Sequence, residues 1–111
     1  MALPPANLAK LTEVLRVLGH EMRLNLLLAL NQHGESAVGE LETLTQIGQP
    51  ALSQQLAILR KAELVHTRRA AKQIYYRIAE PQFASLAGFL ATFAVNGKAP
   101  SGGLPQTRNL R

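Results

Sequence analysis

ALSQQLAILRKAELVHTRRAAKQIYYRI, residues 51–78, decides the fold, because its hydrophobic period changes once, in the middle. In the first half Leu52, Leu56 and Leu59 recur at steps of four and three, which predicts a helix over residues 49–62. Ser53, Gln54, Ala57 and Lys61 project from its opposite face, with Ala51, Gln55 and Ile58 on the flank. From Val65 the step shortens to two: Val65, Thr67 and Arg69 alternate with His66 and Arg68, and Ile74, Tyr76 and Ile78 alternate with Gln73, Tyr75 and Arg77. Joined across Ala70, Ala71 and Lys72, these runs predict a two-stranded hairpin with a basic tip.

Working upstream, Gln46, Ile47 and Gly48 read as a tight turn in which Gly48 supplies either unusual backbone angles or a permissive cap. Gln49 and Pro50 follow in a first turn, where the missing proline N–H has no partner to lose. Before the turn, Ser36 is expected to cap a short acidic helix that turns Val38, Leu41 and Leu44 inward. A helix over residues 20–33 carries Met22, Leu24, Leu26, Leu27, Leu28 and Leu30, apolar nearly all round, and belongs at the centre of the core. Gly34 ends it. A first helix, capped by Asn7 and ended by Gly19, bears the stripe Leu8, Leu11, Leu15 and Leu18.

Downstream, Glu80 and Pro81 open a last helix with Phe83, Leu86, Ala87, Leu90 and Phe93 in a row. The expected architecture is mainly α with a small β-hairpin: a winged helix-turn-helix of about five helices plus a two-stranded wing, over residues 7–96. Residues 1–6 read as an N-terminal tail and residues 97–111, rich in Gly and Pro without periodicity, as a disordered basic one.

Composition agrees and excludes alternatives. A chain of 111 residues has room for one domain, and 47% hydrophobic against 17% charged residues suits a folded one. The net charge of +5 is not spread evenly. Arg60, Lys61, Arg68, Arg69, Lys72 and Arg77, half of the 12 basic residues, lie within 18 positions with Glu63 as the sole acidic one. There is no cysteine, hence no disulfide, thiolate metal site or thiol switch. No signal peptide is visible and the leucine-rich stretch at residues 24–30 is too short to span a bilayer, so a cytoplasmic protein with no membrane partner is expected. His20, His33 and His66 do not share a face, so no metal is expected. With no glycine-rich phosphate loop and no nucleophile beside a base, no catalytic residue or cofactor is expected and the chain is not read as an enzyme.

Two helices across a short turn, the second feeding a basic hairpin, suit duplex DNA: a helix fits the major groove and the hairpin lies along the flanking backbone. The expected DNA-facing set is Gln49, Ala51, Ser53, Gln54 and Gln55 at the start of the helix, Arg60 and Lys61 at its end, and Arg68, Arg69 and Lys72 on the wing. Gln54 and Gln55 suit adenine edges, Ser53 a base or a phosphate, and the basic residues phosphates. Alone, either glutamine reads as a solvated helix residue; the basic hairpin beside them favours base contact, more so for Gln54. The stripes Leu8, Leu11, Leu15, Leu18 and Phe83, Leu86, Leu90, Phe93 exceed what so small a core absorbs, so a homodimer is expected. Two alternatives stay open: a protein-interaction module on the same scaffold with weak or no specific DNA binding, and a metal-responsive repressor using His and Glu ligands.

Residues 38–78, with the paired tyrosines Tyr75 and Tyr76, resemble the ArsR/SmtB family of dimeric bacterial repressors, and residues 18–30 resemble its second-helix signature, with Arg23 at the usual arginine. The recognition helix looks most like that of the HlyU/BigR-like branch, with Gln55 where that branch carries a histidine. The resemblance covers roughly residues 7–95 and implies a five-helix winged domain that dimerises through its first and last helices and binds an inverted-repeat operator, acting as a repressor. It does not carry an effector across. Ala37, Val38 and Gly39 stand at the family's third-helix cysteine motif, residues 82–95 lack the Asp, His and Glu of a second metal site on the last helix and leave only Glu80 at its start, and Leu28 and Ala94 stand at about the redox-sensing cysteines.

Overall fold

A computed structural model describes residues 8–94; Asn7 and the expected tails at residues 1–6 and 97–111 lie outside the described residues. The elements are α1 (Leu8–Leu18), α2 (Glu21–His33), β1 (Ser36–Ala37), α3 (Val38–Thr45), α4 (Ala51–Lys61), β2 (Val65–Ala70), β3 (Gln73–Ile78) and α5 (Glu80–Ala91). This is the winged helix-turn-helix read from the sequence, with one strand more. The chain forms two compact units, one ending at Glu80 and the other beginning at Pro81.

The core of the first unit is aliphatic. It consists of Leu26, Leu27, Ala29 and Leu30 of α2, Leu41 of α3, Leu52, Leu56 and Leu59 of α4, and Leu64, Val65 and Ala79 at the base of the hairpin, all buried, with α2 packed on α3, α4 and β3. Each buried leucine contributes about 1.5–3 kcal/mol, so the three on α4 fix which face of that helix is left outside. Helix α2 packs on α1, α3, α4 and β3, as its central place in the core requires, but it is not covered on every side. Leu24 and Leu28, 45 and 59% exposed, lie opposite the face that reaches the core, and Met22, 38% exposed, lies on the core face but in the first turn. On α1, Leu11 and Val14 are buried whereas Leu8 and Leu15 are exposed and Leu18 is half-buried.

The sheet has the order β1-β3-β2 and is antiparallel throughout. Val65 pairs with Ile78 at the base of the wing and Ala70 with Gln73 at its tip, where Ala71 turns the chain with a φ of 56°. Ser36 was expected to cap α3; instead it pairs with Tyr76 in β1, and its hydroxyl donates to the Gly34 carbonyl at 2.8 Å. The helix starts from Ala37, whose N–H donates to Glu40 Oε1 at 2.8 Å. The two-residue strand is too short to leave a period in the sequence. Leu44, expected inward, is 39% exposed.

In the second unit, α5 buries Leu86, half-buries Phe83 and exposes Leu90. Phe93 lies beyond the end of α5, 72% exposed, and meets the Phe89 ring edge-on at 5.3 Å.

Candidate nucleic-acid interface

The turn between α3 and α4 is built from side chains that hold it to the rest of the unit. Thr45, buried at the end of α3, donates its hydroxyl to the Leu41 carbonyl at 2.7 Å and accepts from the Ile47 N–H at 3.2 Å. Ile47 is itself buried, and Asn25 of α2 donates to the Thr45 carbonyl at 3.4 Å. The residue in the left-handed region is Gln46, with φ 62° and ψ 19°, not Gly48. The Gln46 side chain compensates by donating to the Thr43 carbonyl at 2.9 Å.

At the far end, α4 stops without a glycine. Glu63 takes a φ of 62°, its N–H donates to the Arg60 carbonyl at 2.9 Å, and the Leu64 N–H donates back to the Leu59 carbonyl at 3.0 Å. This is the paired closure of a Schellman end, with Leu59 and Leu64 both fully buried beneath it. It turns the chain directly into β2, and the Ala79 N–H bonded to the Leu64 carbonyl at 3.0 Å closes the base of the wing.

Between these two ends α4 exposes Ser53, Gln54, Ala57, Arg60 and Lys61, while Ala51, Gln55 and Ile58 are half-buried along its flank. Gln49 and Ser53 are bound to each other: Gln49 Oε1 accepts from the Ser53 hydroxyl at 2.6 Å and from its N–H at 3.3 Å. The structure separates Gln55 from Gln54. Gln55 Oε1 accepts from Arg23 Nε at 2.9 Å, whereas Gln54 makes no side-chain hydrogen bond among the described residues and is exposed.

The wing shows a second separation. Arg68 was expected as a free phosphate contact, but it is held by Glu35 in a forked pair, Nε to Oε2 at 2.7 Å and Nη2 to Oε1 at 2.8 Å. Its guanidinium also lies 4.9 Å from the centre of the Tyr75 ring, its cross-strand partner. The hydrogen bond from Arg68 holds the Glu35 carboxyl below its ordinary value and raises Arg68 above its own. Arg60, Lys61, Arg69, Lys72 and Arg77 are exposed and form no ion pair among the described residues. The other ion pair, Lys10 to Glu63 at 2.7 Å, links α1 to the end of α4 and depresses the Glu63 carboxyl.

His20 caps α2, its Nδ1 accepting from the Met22 N–H at 3.2 Å. Among the described residues no three His, Asp or Glu side chains converge on a point, and no helix is long and apolar enough to cross a membrane.

A helix, a pinned turn, a second helix with a polar outer face and a basic hairpin define a winged helix-turn-helix regulator. Residues 20–67 match the family described as bacterial regulatory protein, arsR family. The chain is 53% identical over 85 residues to the biofilm growth-associated repressor of Agrobacterium fabrum, covering 74% of this chain and 72% of that one. It is 38% identical over 76 residues to the transcriptional activator HlyU of Vibrio cholerae, covering 68% and 69%. The crystal structure of the transcriptional repressor BigR from Xylella fastidiosa is similar at a TM-score of 0.60 and 46% identity, covering 80% of this chain and 87% of that one. The chain belongs to the ArsR family of bacterial regulatory proteins, whose members are DNA-binding transcription regulators and not enzymes.

Proposed function

We propose that the protein is a homodimeric repressor that binds an inverted-repeat operator with one α4 in each half-site and senses neither metals nor thiol oxidants. The observation that carries this reading is the outer face of α4, where Gln54 is exposed and the cations Arg60, Lys61, Arg69 and Lys72 stand on the helix end and wing, none of these side chains having a hydrogen-bond or ion-pair partner among the described residues. Gln54 reads a base edge, Ser53 and Gln49 set the start of the helix against the backbone, Ala51 allows close approach, and the cations hold phosphates. A repressor is favoured over an activator because identity is higher to the Agrobacterium repressor, 53%, than to the Vibrio activator, 38%.

Apolar side chains left in water support the dimer: Leu8 and Leu15 on α1, Leu90 on α5 and Phe93 just beyond it are 39–72% exposed. Leu18 on α1 and Phe83 on α5 are half-buried, while Leu11 and Leu86 are already buried within the chain and add little contact area. An isologous pair of this kind matches the symmetry of an inverted repeat.

Sedimentation at micromolar concentration, paired with selection of bound sequences from genomic DNA, tests the reading. A dimer on a palindromic site is expected. Leu90→Glu is expected to yield monomers and to lose the operator in the same step. A monomeric wild type, or a monomeric Leu90→Glu variant that keeps full operator affinity, overturns it.

A further inference from the structure

Arg23 stands where helix electrostatics disfavour it. It is the third residue of α2, and a cation in a first turn opposes the dipole of its own helix. Its partners lie on other elements. Nη1 donates to the Val17 carbonyl at 3.0 Å and Nε to Gln55 Oε1 at 2.9 Å. The first bond completes the end of α1. Of the four last carbonyls there, Leu15 and Arg16 receive the Gly19 N–H, Leu18 receives the His20 N–H, and Val17 receives Arg23.

The second bond decides the chemistry of Gln55. Arginine has donors only, so the amide oxygen must face it and the NH₂ must face away. Gln55 Nε2 makes no hydrogen bond among the described residues. A glutamine free to present both atoms pairs with adenine N6 and N7; one whose oxygen is held by Arg23 leads with its NH₂ donors, suited to adenine or guanine N7, guanine O6, thymine O4 or a phosphate oxygen.

We propose that Arg23 is a positioning residue for base recognition: by holding Gln55 Oε1 it turns the NH₂ of position 55 of α4 outward as a donor, and it ties that reader to the end of α1. The inference rests on the DNA-binding reading above and names how one of its residues reads.

The test is to select bound sequences from a randomised duplex pool with the full chain and its variants, alongside thermal melting. The wild type is expected to disfavour cytosine, the one base with no major-groove acceptor, at one position in each half-site through Gln55. Gln55→Glu keeps an oxygen for Arg23 but removes the donor, so preference at that position should move by about tenfold toward cytosine, whose N4 donates, without a lower melting temperature. Arg23→Met should flatten the same position and no other, and Arg23→Lys, which keeps a donor, should restore it in part. An Arg23→Met chain that loses affinity equally for every sequence, with its profile intact, overturns the inference by showing a purely structural arginine. If Arg23→Met fails to fold, Gln55→Glu decides, and an unchanged profile overturns it. A wild type that selects no sequence defeats the DNA-binding reading itself, an outcome distinct from a wild type with a clear operator that is indifferent to Arg23.

Discussion

Gln54 and Gln55 are identical neighbours in the sequence, and the fold gives them different chemistry. One step of about 100° along the helix takes Gln54 to open solvent and Gln55 to the half-buried flank beside Arg23. No composition or period distinguishes them, since the partner comes from a residue 32 positions away. Gln54→Ala is expected to weaken operator binding by about 1–3 kcal/mol and to relax preference at one base pair per half-site, whereas Arg69→Ala should weaken all sequences alike and flatten the salt dependence. Uniform losses from both, across a panel of altered operators, would remove Gln54 from the bases. Arg68 and Arg69 repeat the lesson on the wing, because Glu35 neutralises Arg68 alone. Releasing Arg68 with Glu35→Ala should raise affinity for any duplex by about tenfold at ~0.05 M salt and steepen the salt slope by about one. An unchanged slope would mean that Arg68 never reaches a phosphate. The pH sign follows from the depressed Glu35 carboxyl: the pair is intact above the ordinary value of 4.5 and is lost only as pH falls through the lower folded value.

At the scale of elements, the change of period at Val65 located the recognition helix and both wing strands, because a core face must recur at 3.6 in one and at 2 in the other. Every helix read from the sequence is present. Features without a period were not legible: the two residues of β1, and the places where backbone strain is held. Glycine is the usual marker of a left-handed residue, yet Gln46 and Glu63 take that conformation at the ends of α3 and α4, while Gly48 does not. Those ends are held instead by the Ile47 N–H donating to the Thr45 hydroxyl, Asn25 donating to the Thr45 carbonyl and the Leu64 N–H donating to the Leu59 carbonyl. Two substitutions should therefore reverse the intuitive assignment. Gln46→Gly relieves a left-handed side-chain residue and should stabilise the protein by about 0.5–1 kcal/mol. Gly48→Ala should be neutral or stabilising by a similar amount, since an added Cβ meets nothing within 4 Å and its φ is not positive. Chemical denaturation of both variants checks this, and a destabilised Gly48→Ala would show that the turn needs glycine after all.

At the scale of the whole molecule, the family fold is retained while the chemistry by which relatives are expected to sense is missing from this sequence. The chain has no cysteine, and the third-helix positions of the resemblance are filled by Ala37, buried at the start of α3, by half-buried Val38 and by exposed Gly39, none of which offers a ligand atom from its side chain. Leu28 and Ala94, at the redox positions, are likewise inert. His20 spends Nδ1 on a helix cap and His66 pairs across the hairpin with Arg77, a cation that disfavours metal beside it. Of the two methionines, Met22 is the one among the described residues, and it is 38% exposed. Operator affinity is therefore expected to stay within about a factor of three, roughly 0.7 kcal/mol, when zinc, copper, arsenite, peroxide or polysulfide is added. Fluorescence anisotropy of a labelled operator, titrated with each in turn, measures it. A tenfold loss with any one of them would place a sensor among residues that carry no ordinary sensing chemistry, and would return the metal-responsive alternative to the front.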